Sequence, residues 1–375
     1  MILTDVQQEI REQVRAFAQA EIAPYSGAWE QAGSYPREIF TALATLGLMG
    51  MTAPEELGGA GADYVSYALA LMELAAADGG LATVVSVHNA PVIAAILREA
   101  QESQRAQWVP LLTSAKLIGA FALTEPNAGT DAAAIRTAAR RAGDTYILNG
   151  TKQFITSARL GNLALTFAVT DPTAGKKGIT AFLVPTDRPG YQAAKPESKL
   201  GQRASDTCAV QLDDVQVESD LRLGKEGEGY RIALANLEAG RIGIAAQSVG
   251  MAQAALEIAV TYAKERVSFG KPLMNHQAVS HRLADLAARL EAARQLVLHA
   301  AALKDAGLPC LAQACMAKLI ASESAEVICS GALQTLGGYG YLEDFKIAKI
   351  YRDVRVCQIY EGTSDVQRMI IGRHL

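Results

Sequence analysis

One carboxylate in this chain stands where it could act as a base. The segment Ile359-Tyr360-Glu361-Gly362-Thr363-Ser364-Asp365-Val366-Gln367-Arg368 sets Glu361 between an aromatic residue and a glycine, just ahead of a helix start. Ser364 and Gln367 have the S-x-x-Q spacing of a capping box, which puts Glu361 on a loop rather than on a solvated helix face. Gly362 lets backbone or ligand come close, and Tyr360 offers a wall that excludes water. A carboxylate so sheltered suits proton removal from carbon; the plainer alternative is an acid that favours the dipole of the following helix.

Other segments could hold a nucleotide without the usual cradles. No G-x-G-x-x-G follows a predicted strand and no G-x-x-x-x-G-K-[ST] occurs; Gly224, Gly227 and Gly229 have the wrong spacing and fit a loop. In Phe121-Ala122-Leu123-Thr124-Glu125-Pro126-Asn127-Ala128-Gly129-Thr130-Asp131, Pro126 and Gly129 impose an irregular path that leaves backbone N–H groups free, and the Thr124 hydroxyl adds a donor. Lys152-Gln153-Phe154-Ile155-Thr156-Ser157 offers a flat apolar face beside a hydroxyl. Arg266 could present paired donors to pyrophosphate oxygens, or could be a solvated cation near a helix C-terminus. Arg352 and Asp353 read as a structural ion pair. His88, His276, His281, His299 and His374 form no ligand-spaced pair on one helix face, so no metal site is expected.

The elements that must position these groups follow an α, β, α order. The 375 residues suffice for two or three domains and a substantial core. Half are hydrophobic but only 6% aromatic, so the interior must be built from Ala, Leu, Ile and Val. From Thr4 to about Leu117 the pattern is helical, broken by Pro24, Gly33, Pro36 and the cluster Gly58, Gly59, Gly61. Between about Gly119 and Gly224, β-forming runs recur at Thr145–Leu148, Leu163–Val169, Ile179–Val184 and Cys208–Leu212, and Asn149-Gly150 reads as a hairpin turn. Helical periodicity returns at Tyr230. Val279, Leu283, Leu286, Leu290 and Val297 line one face of a long helix ended by Gly307 and Pro309, and a second should run to about Leu336. With the helix around Ile242–Lys264 these predict a four-helix bundle. The expected fold class is α+β, with an N-terminal helical domain (1–118), a small middle β domain (119–225) and a C-terminal four-helix bundle (226–375).

The net charge of −4 carries no basic block, so neither nucleic acid nor an anionic membrane is indicated as a partner. No apolar run reads as a membrane span. Cys208, Cys310, Cys315, Cys329 and Cys357 are odd in number and contain no C-x-x-C pair, which suits free thiols in a reducing compartment. With no basic leader ahead of the first helix, a cytoplasmic location is expected, and a processed mitochondrial chain would look the same.

Five segments, in register over essentially the whole chain, resemble the acyl-CoA dehydrogenase family. Phe121–Asp131 resembles its flavin loop, Lys152–Ser157 its second flavin segment, and Glu265-Arg266-Val267-Ser268-Phe269-Gly270-Lys271-Pro272 with Gln277 the arginine segment that reaches a neighbouring subunit's cofactor. Gln334-Thr335-Leu336-Gly337-Gly338 resembles the dinucleotide-binding turn, and the Glu361 segment the catalytic one. The resemblance implies non-covalent FAD held by Phe121, Leu123, Thr124, Thr130, Phe154, Ile155, Thr156, Arg266, Phe269, Gln277, Gln334, Gly337, Gly338, Thr363 and Asp365. It implies acyl-CoA contacts at Thr130, Glu238, Arg241, Tyr360 and Gly362, with Glu361 as the catalytic base.

Phe154 stands where family enzymes usually carry tryptophan, and Thr130 and Asp365 replace the commoner serine and glutamate. On the same resemblance Glu361 takes the α-proton while the β-hydride passes to flavin N5, leaving a trans-2-enoyl-CoA. Electrons leave through electron-transferring flavoprotein, and the assembly is a homotetramer built as two dimers. The run Glu238 to Gln247 looks most like short-chain and short branched-chain enzymes, which implies a butyryl-CoA-like or 2-methyl-branched substrate in fatty-acid β-oxidation or branched-chain amino-acid catabolism. In some relatives the catalytic glutamate precedes the arginine equivalent to Arg241; here that position is Gly240, which should leave space for substrate. An acyl-CoA oxidase or acyl-carrier-protein dehydrogenase would share these motifs, and a scaffold that has lost chemistry is the alternative from another class.

Overall fold

A computed structural model describes residues Met1–Leu375. Seven helices come first: α1 (Asp5–Phe17), α2 (Ser26–Ala32), α3 (Arg37–Thr45), α4 (Tyr64–Ala77), α5 (Gly79–Val87), α6 (Ala94–Glu99) and α7 (Glu102–Thr113). Side chains set their starts. Thr4 and Gln7 form a reciprocal capping box on α1, and the carboxylates of Asp63 and Asp78 accept from Ser66 N and Leu81 N at the starts of α4 and α5. A π-helical stretch, His88–Ile93, joins α5 to α6 and contains Pro91, which has no N–H to give an α-helical ladder.

Eight strands form one mixed sheet: β1 (Gly119–Ala122), β2 (Ala138–Ala142), β3 (Thr145–Thr156), β4 (Leu163–Val169), β5 (Ile179–Pro185), β6 (Tyr191–Ala193), β7 (Thr207–Glu218) and β8 (Arg222–Leu223). Their spatial order is β6-β7-β3-β2-β4-β5-β8, with β1 parallel to β4. The expected hairpin at Asn149-Gly150 is corrected: these residues lie inside the continuous strand β3, at a bulge against β7. The Asn149 side chain exchanges two hydrogen bonds with Asp214, and a Cβ at Gly150 would lie 2.7 Å from Thr137 Cα. Tertiary contacts therefore keep the chain straight where its local signal asks for a turn. The hairpin turn falls instead at Gly143-Asp144, where Gly143 takes φ +64° between β2 and β3.

The C-terminal helices are α8 (Gly229–Glu265), α9 (Gln277–Asp305), α10 (Leu311–Leu336) and the shorter α11 (Lys346–Val354) and α12 (Ser364–Gly372). Gly307 at φ +67° and Gly337 at φ +61° end α9 and α10 as the sequence leads one to expect. Small residues let α8 approach α4: a Cβ at Gly250 would lie 2.0 Å from the Met72 carbonyl oxygen. One hydrophobic core runs through both helical regions, from Val14 to Cys357, and a second fills the β region with help from α6, α7 and the start of α8. The stretches Gly79–Glu99 and Gly229–Glu265 are, by length and composition, apolar enough to cross a bilayer, contrary to the sequence expectation, and most of each is buried inside the molecule.

Arg352 and Asp353 do not pair with each other. Arg352 binds Glu30, while Asp353 accepts from Lys349 at 2.6 Å and from the backbone of Gln202. As neighbours on α11 their side chains point different ways. All five cysteines are buried and unpaired.

Candidate active site

Glu361 sits on the turn between a 3-10 segment, Arg355–Gln358, and α12. It has φ +52° and Gly362 has φ +91°, so two successive left-handed residues reverse the chain. For a glutamate this conformation costs roughly 1–2 kcal/mol. The turn is held by its carbonyls. Gln367 Nε2 donates to Gly362 O at 2.8 Å and to Glu361 O at 3.3 Å, and Lys318 Nζ donates to Gly362 O at 2.8 Å. The expected capping box is corrected here: Thr363 caps α12 by accepting from Val366 N, which leaves the Gln367 amide free to bind the turn.

The Glu361 carboxyl faces inward against α8, with Oε2 buried and without a hydrogen-bond partner. Burial pushes its pKa up to about 7, opposed by the positive charges of Arg241 and Lys318. Arg241 is itself buried, and its Nε has no partner. The backbone N–H of Glu361 makes no hydrogen bond within the chain. A carboxyl with a pKa near neutrality, a buried guanidinium and a free N–H thus lie together.

Tyr360 turns its hydroxyl into the protein rather than serving only as a wall. It donates to Gln247 Oε1 at 3.0 Å and lies 3.4 Å from both Thr83 Oγ1 and Cys357 Sγ. Gln247 binds Thr83, and Thr83 donates to Gln202 Oε1 at 2.8 Å. Gln202 N donates to Asp353, which shares Lys349 with Asp78. Asp78 in turn accepts from Tyr35 and Ser26. The Glu361–Gly362 turn is therefore tied through buried polar groups to the N-terminal helices. Glu238 spends its carboxylate on Lys304 at 3.1 Å and Cys310 at 3.3 Å.

The segments Phe121–Asp131 and Lys152–Ser157 are joined to each other. Gln153 N donates to Thr124 O at 2.8 Å, and the buried Lys152 ammonium binds Leu123 O and the Glu125 carboxylate at 2.8 Å. Glu125 also accepts from Arg136 N and Thr137 N, and these donors together with Lys152 hold its pKa below the usual range despite burial. A bulge in β3 between Lys152 and Ile155 throws Phe154 outward at φ +58°, leaving the residue 64% exposed. Phe121 and Thr156 are half-buried, Leu123 and Ile155 buried, and Thr130 exposed.

Arg266, Phe269, Gln277, Gln334, Gly337 and Gly338 are all exposed. Arg266 lies over the Tyr339 ring at 5.9 Å, and Phe269 is 94% exposed at φ +51° on a two-residue loop. Asp365 is exposed on α12. Sequence reading passed over Lys318, Gln247, Gln202 and the role of Lys152. Lys318 carried the one available signal, as a lysine on an otherwise alanine- and cysteine-rich helix face.

Residues 4–116, 120–215 and 227–375 match the N-terminal, middle and C-terminal domain families of acyl-CoA dehydrogenase. The chain belongs to the acyl-CoA dehydrogenase family. An acyl-CoA dehydrogenase of Bacillus subtilis is 45% identical over 375 residues, covering all of this chain and 99% of that one. The butyryl-CoA dehydrogenase of Megasphaera elsdenii superposes with a TM-score of 0.97 at 41% identity, covering all of this chain and 99% of that one. A chain from the electron transferring flavoprotein work on Acidaminococcus fermentans gives a TM-score of 0.98 at 40% identity, covering all of this chain and 98% of that one.

Members of this family bind FAD, and a glutaryl-CoA dehydrogenase of Mycobacterium smegmatis with this fold is known in complex with FADH2. The residues present here fit that group. The buried Ser157 hydroxyl, at the end of the second flavin segment, has no partner within the chain. The exposed Phe154 ring offers a flat face, and a Cβ at Gly129 would meet nothing within 4 Å, so the flavin loop leaves room. The protein is an FAD-dependent acyl-CoA dehydrogenase.

Proposed function

We propose that this chain oxidises a short-chain or short 2-methyl-branched acyl-CoA to the trans-2-enoyl-CoA, with Glu361 as the base. The observation that carries the reading is the unpartnered Glu361 carboxyl, buried against Gly240 with its pKa near 7. Burial makes it a stronger base than a carboxylate in water, and accepting the α-proton converts it to the neutral acid that a buried site favours. The free N–H of Glu361 is oriented by the same turn and can donate to the thioester oxygen as negative charge develops there. When bound, FAD supplies the acceptor for the β-hydride. Phe121–Thr130 and Phe154–Thr156 would hold it, with Thr363 and Asp365 beside the catalytic turn. Arg266, Phe269, Gln277, Gln334, Gly337 and Gly338 would serve the flavin of a neighbouring subunit in a homotetramer built as two dimers.

Short-chain preference is supported by likeness to butyryl-CoA dehydrogenase, and electron-transferring flavoprotein as acceptor by likeness to the Acidaminococcus chain. A cytoplasmic location belongs to the same proposal, on the strength of five unpaired thiols. The domain limits 1–118, 119–225 and 226–375 belong to the same proposal. Anaerobic mixing of the purified protein with butyryl-, 2-methylbutyryl-, octanoyl- and palmitoyl-CoA tests the reading. The flavin absorbance should bleach fastest with the C4 or 2-methyl substrates; fastest bleaching by palmitoyl-CoA would overturn the chain-length assignment, and none by any thioester would overturn the activity.

A further inference from the structure

Lys318 is fully buried on α10, among Ala314, Cys315, Ala317, Ala321 and Ser322. Its ammonium has three donors and a single hydrogen bond, to the carbonyl of the residue that follows Glu361. Burying an ammonium with so few partners is unfavourable, and an apolar side chain would pack this helix face more cheaply. Charged and titratable groups face the Lys318–Glu361 pair from each element packed there: Arg241 on α8, Tyr67 on α4, Cys357 on the 3-10 segment and Cys315 on α10 itself.

We propose that Lys318 is a positioning residue for α-proton abstraction: its ammonium clamps the Glu361–Gly362 turn by the Gly362 carbonyl and favours the carboxylate over the neutral acid at Glu361. This rests on the reading of Glu361 as the base. Burial and charge pull in opposite directions at that carboxyl. Burial alone would leave it protonated and unable to accept, while the cations on α8 and α10 oppose that protonation. Lys318 is lowered to about 8 by its own burial, so it still carries its charge at neutral pH. No proton passes through it: the α-proton moves from carbon to the Glu361 carboxylate, and Lys318 stays an ammonium throughout.

The test measures the pH dependence of kcat/KM with butyryl-CoA on flavin-loaded Lys318→Met, Lys318→Gln and wild-type enzymes. Loss of the neighbouring cation should move the acid limb up by about one pH unit in both variants. Glutamine keeps a donor for the Gly362 carbonyl, so at high pH, where Glu361 is ionised in either case, it should recover more of the wild-type rate than methionine. A merely structural lysine would lower the rate without moving the limb, and a flavin-loaded neutral variant with its limb at the wild-type position overturns the proposal. Failure of both neutral variants to fold also counts against it, since the lysine would then serve folding. Glu361→Gln, run in parallel, separates the two claims. Normal activity there overturns the base assignment, whereas its loss together with an unmoved limb in the Lys318 variants overturns the Lys318 role alone.

Discussion

The Glu361 carboxyl fills the space that a side chain at Gly240 would need: a Cβ built at position 240 would lie 2.0 Å from Oε2 and 3.0 Å from Oε1. The sequence suggested that Gly240 leaves room for substrate; in the structure that room is taken by the Glu361 carboxyl. Gly240→Ala should therefore displace the carboxyl and slow single-turnover flavin reduction by about a hundredfold, the cost of a misplacement near 1 Å. Glu361→Gly removes the obstacle together with the base, and adding Gly240→Glu should restore part of the rate with a changed preference for acyl length. A folded, flavin-replete double variant that recovers nothing would show that position 240 does not reach the α-carbon.

On the reading of Glu361 as the base it must be ionised to accept a proton, so kcat/KM should rise with pH through an acid limb near about pH 7. Glu361→Gln should retain flavin and substrate affinity while losing at least about a thousandfold in rate. Stopped-flow bleaching from pH 5.5 to 9 reads both effects. A limb near 4.5 would show that burial does not govern this carboxyl.

Lys152→Met should strand the Glu125 carboxylate inside the Phe121–Asp131 loop, the proposed flavin loop. Breaking a buried pair from one side costs about 3–5 kcal/mol, so both the melting temperature and FAD retention should fall. The double variant Lys152→Met with Glu125→Gln, which leaves no buried charge, should be the more stable of the two. Equal melting curves for the single variant and wild type would remove Lys152 from the account of the loop.

Arg266→Ala should weaken FAD retention and, because a ligand shared by two chains stabilises their association, loosen the assembly as well. Flavin absorbance after gel filtration, with light scattering on the same peak, measures both. A normally assembled, fully yellow variant would argue that Arg266 serves neither.

His88 is held neutral by its surroundings: Nδ1 accepts from Gly119 N and Nε2 lies 3.1 Å from the Leu112 carbonyl, while burial pulls its pKa down from 6.5 to about 4. Because the folded value lies below the unfolded one, the stability it contributes is fully present above about pH 6.5 and is lost as pH falls toward 4, up to ~3 kcal/mol. His88→Gln should flatten the fall of melting temperature with acid over that window. The comparison with wild type isolates His88 from carboxylates that titrate lower. Parallel curves would mean that His88 does not protonate on unfolding.

What could be read from the chain alone was local. The loop position of Glu361 followed from its neighbours, and α9 and α10 from periodicity closed with Gly307 and Gly337, because these signals lie within a few residues of what they specify. Lys318 binds a carbonyl 44 residues away, and Lys152 a carboxylate 27 residues away. No spacing announces such pairs. Asn149-Gly150 shows the reverse case, a strong local signal defeated by Thr137 and Asp214 brought in by the sheet. Ser364 and Gln367 fail in the same way: the glutamine that would close a capping box is worth more to the strained turn before it.

The two cores also set an order of assembly. The β core needs nothing beyond Ala233, whereas the helical core draws side chains from Val14 to Cys357. On a ribosome adding residues at about 5–20 per second, α4 and α5 emerge and then wait on the order of ten seconds for α8 to cover them. Nearly every residue of those two helices is buried in the finished protein. During synthesis they are a sticky apolar surface without a partner, so the hazard of aggregation lies in the nascent chain rather than in the completed enzyme, and variants that delay closure of α8 on α4 should be lost to chaperones and proteases before they ever meet flavin.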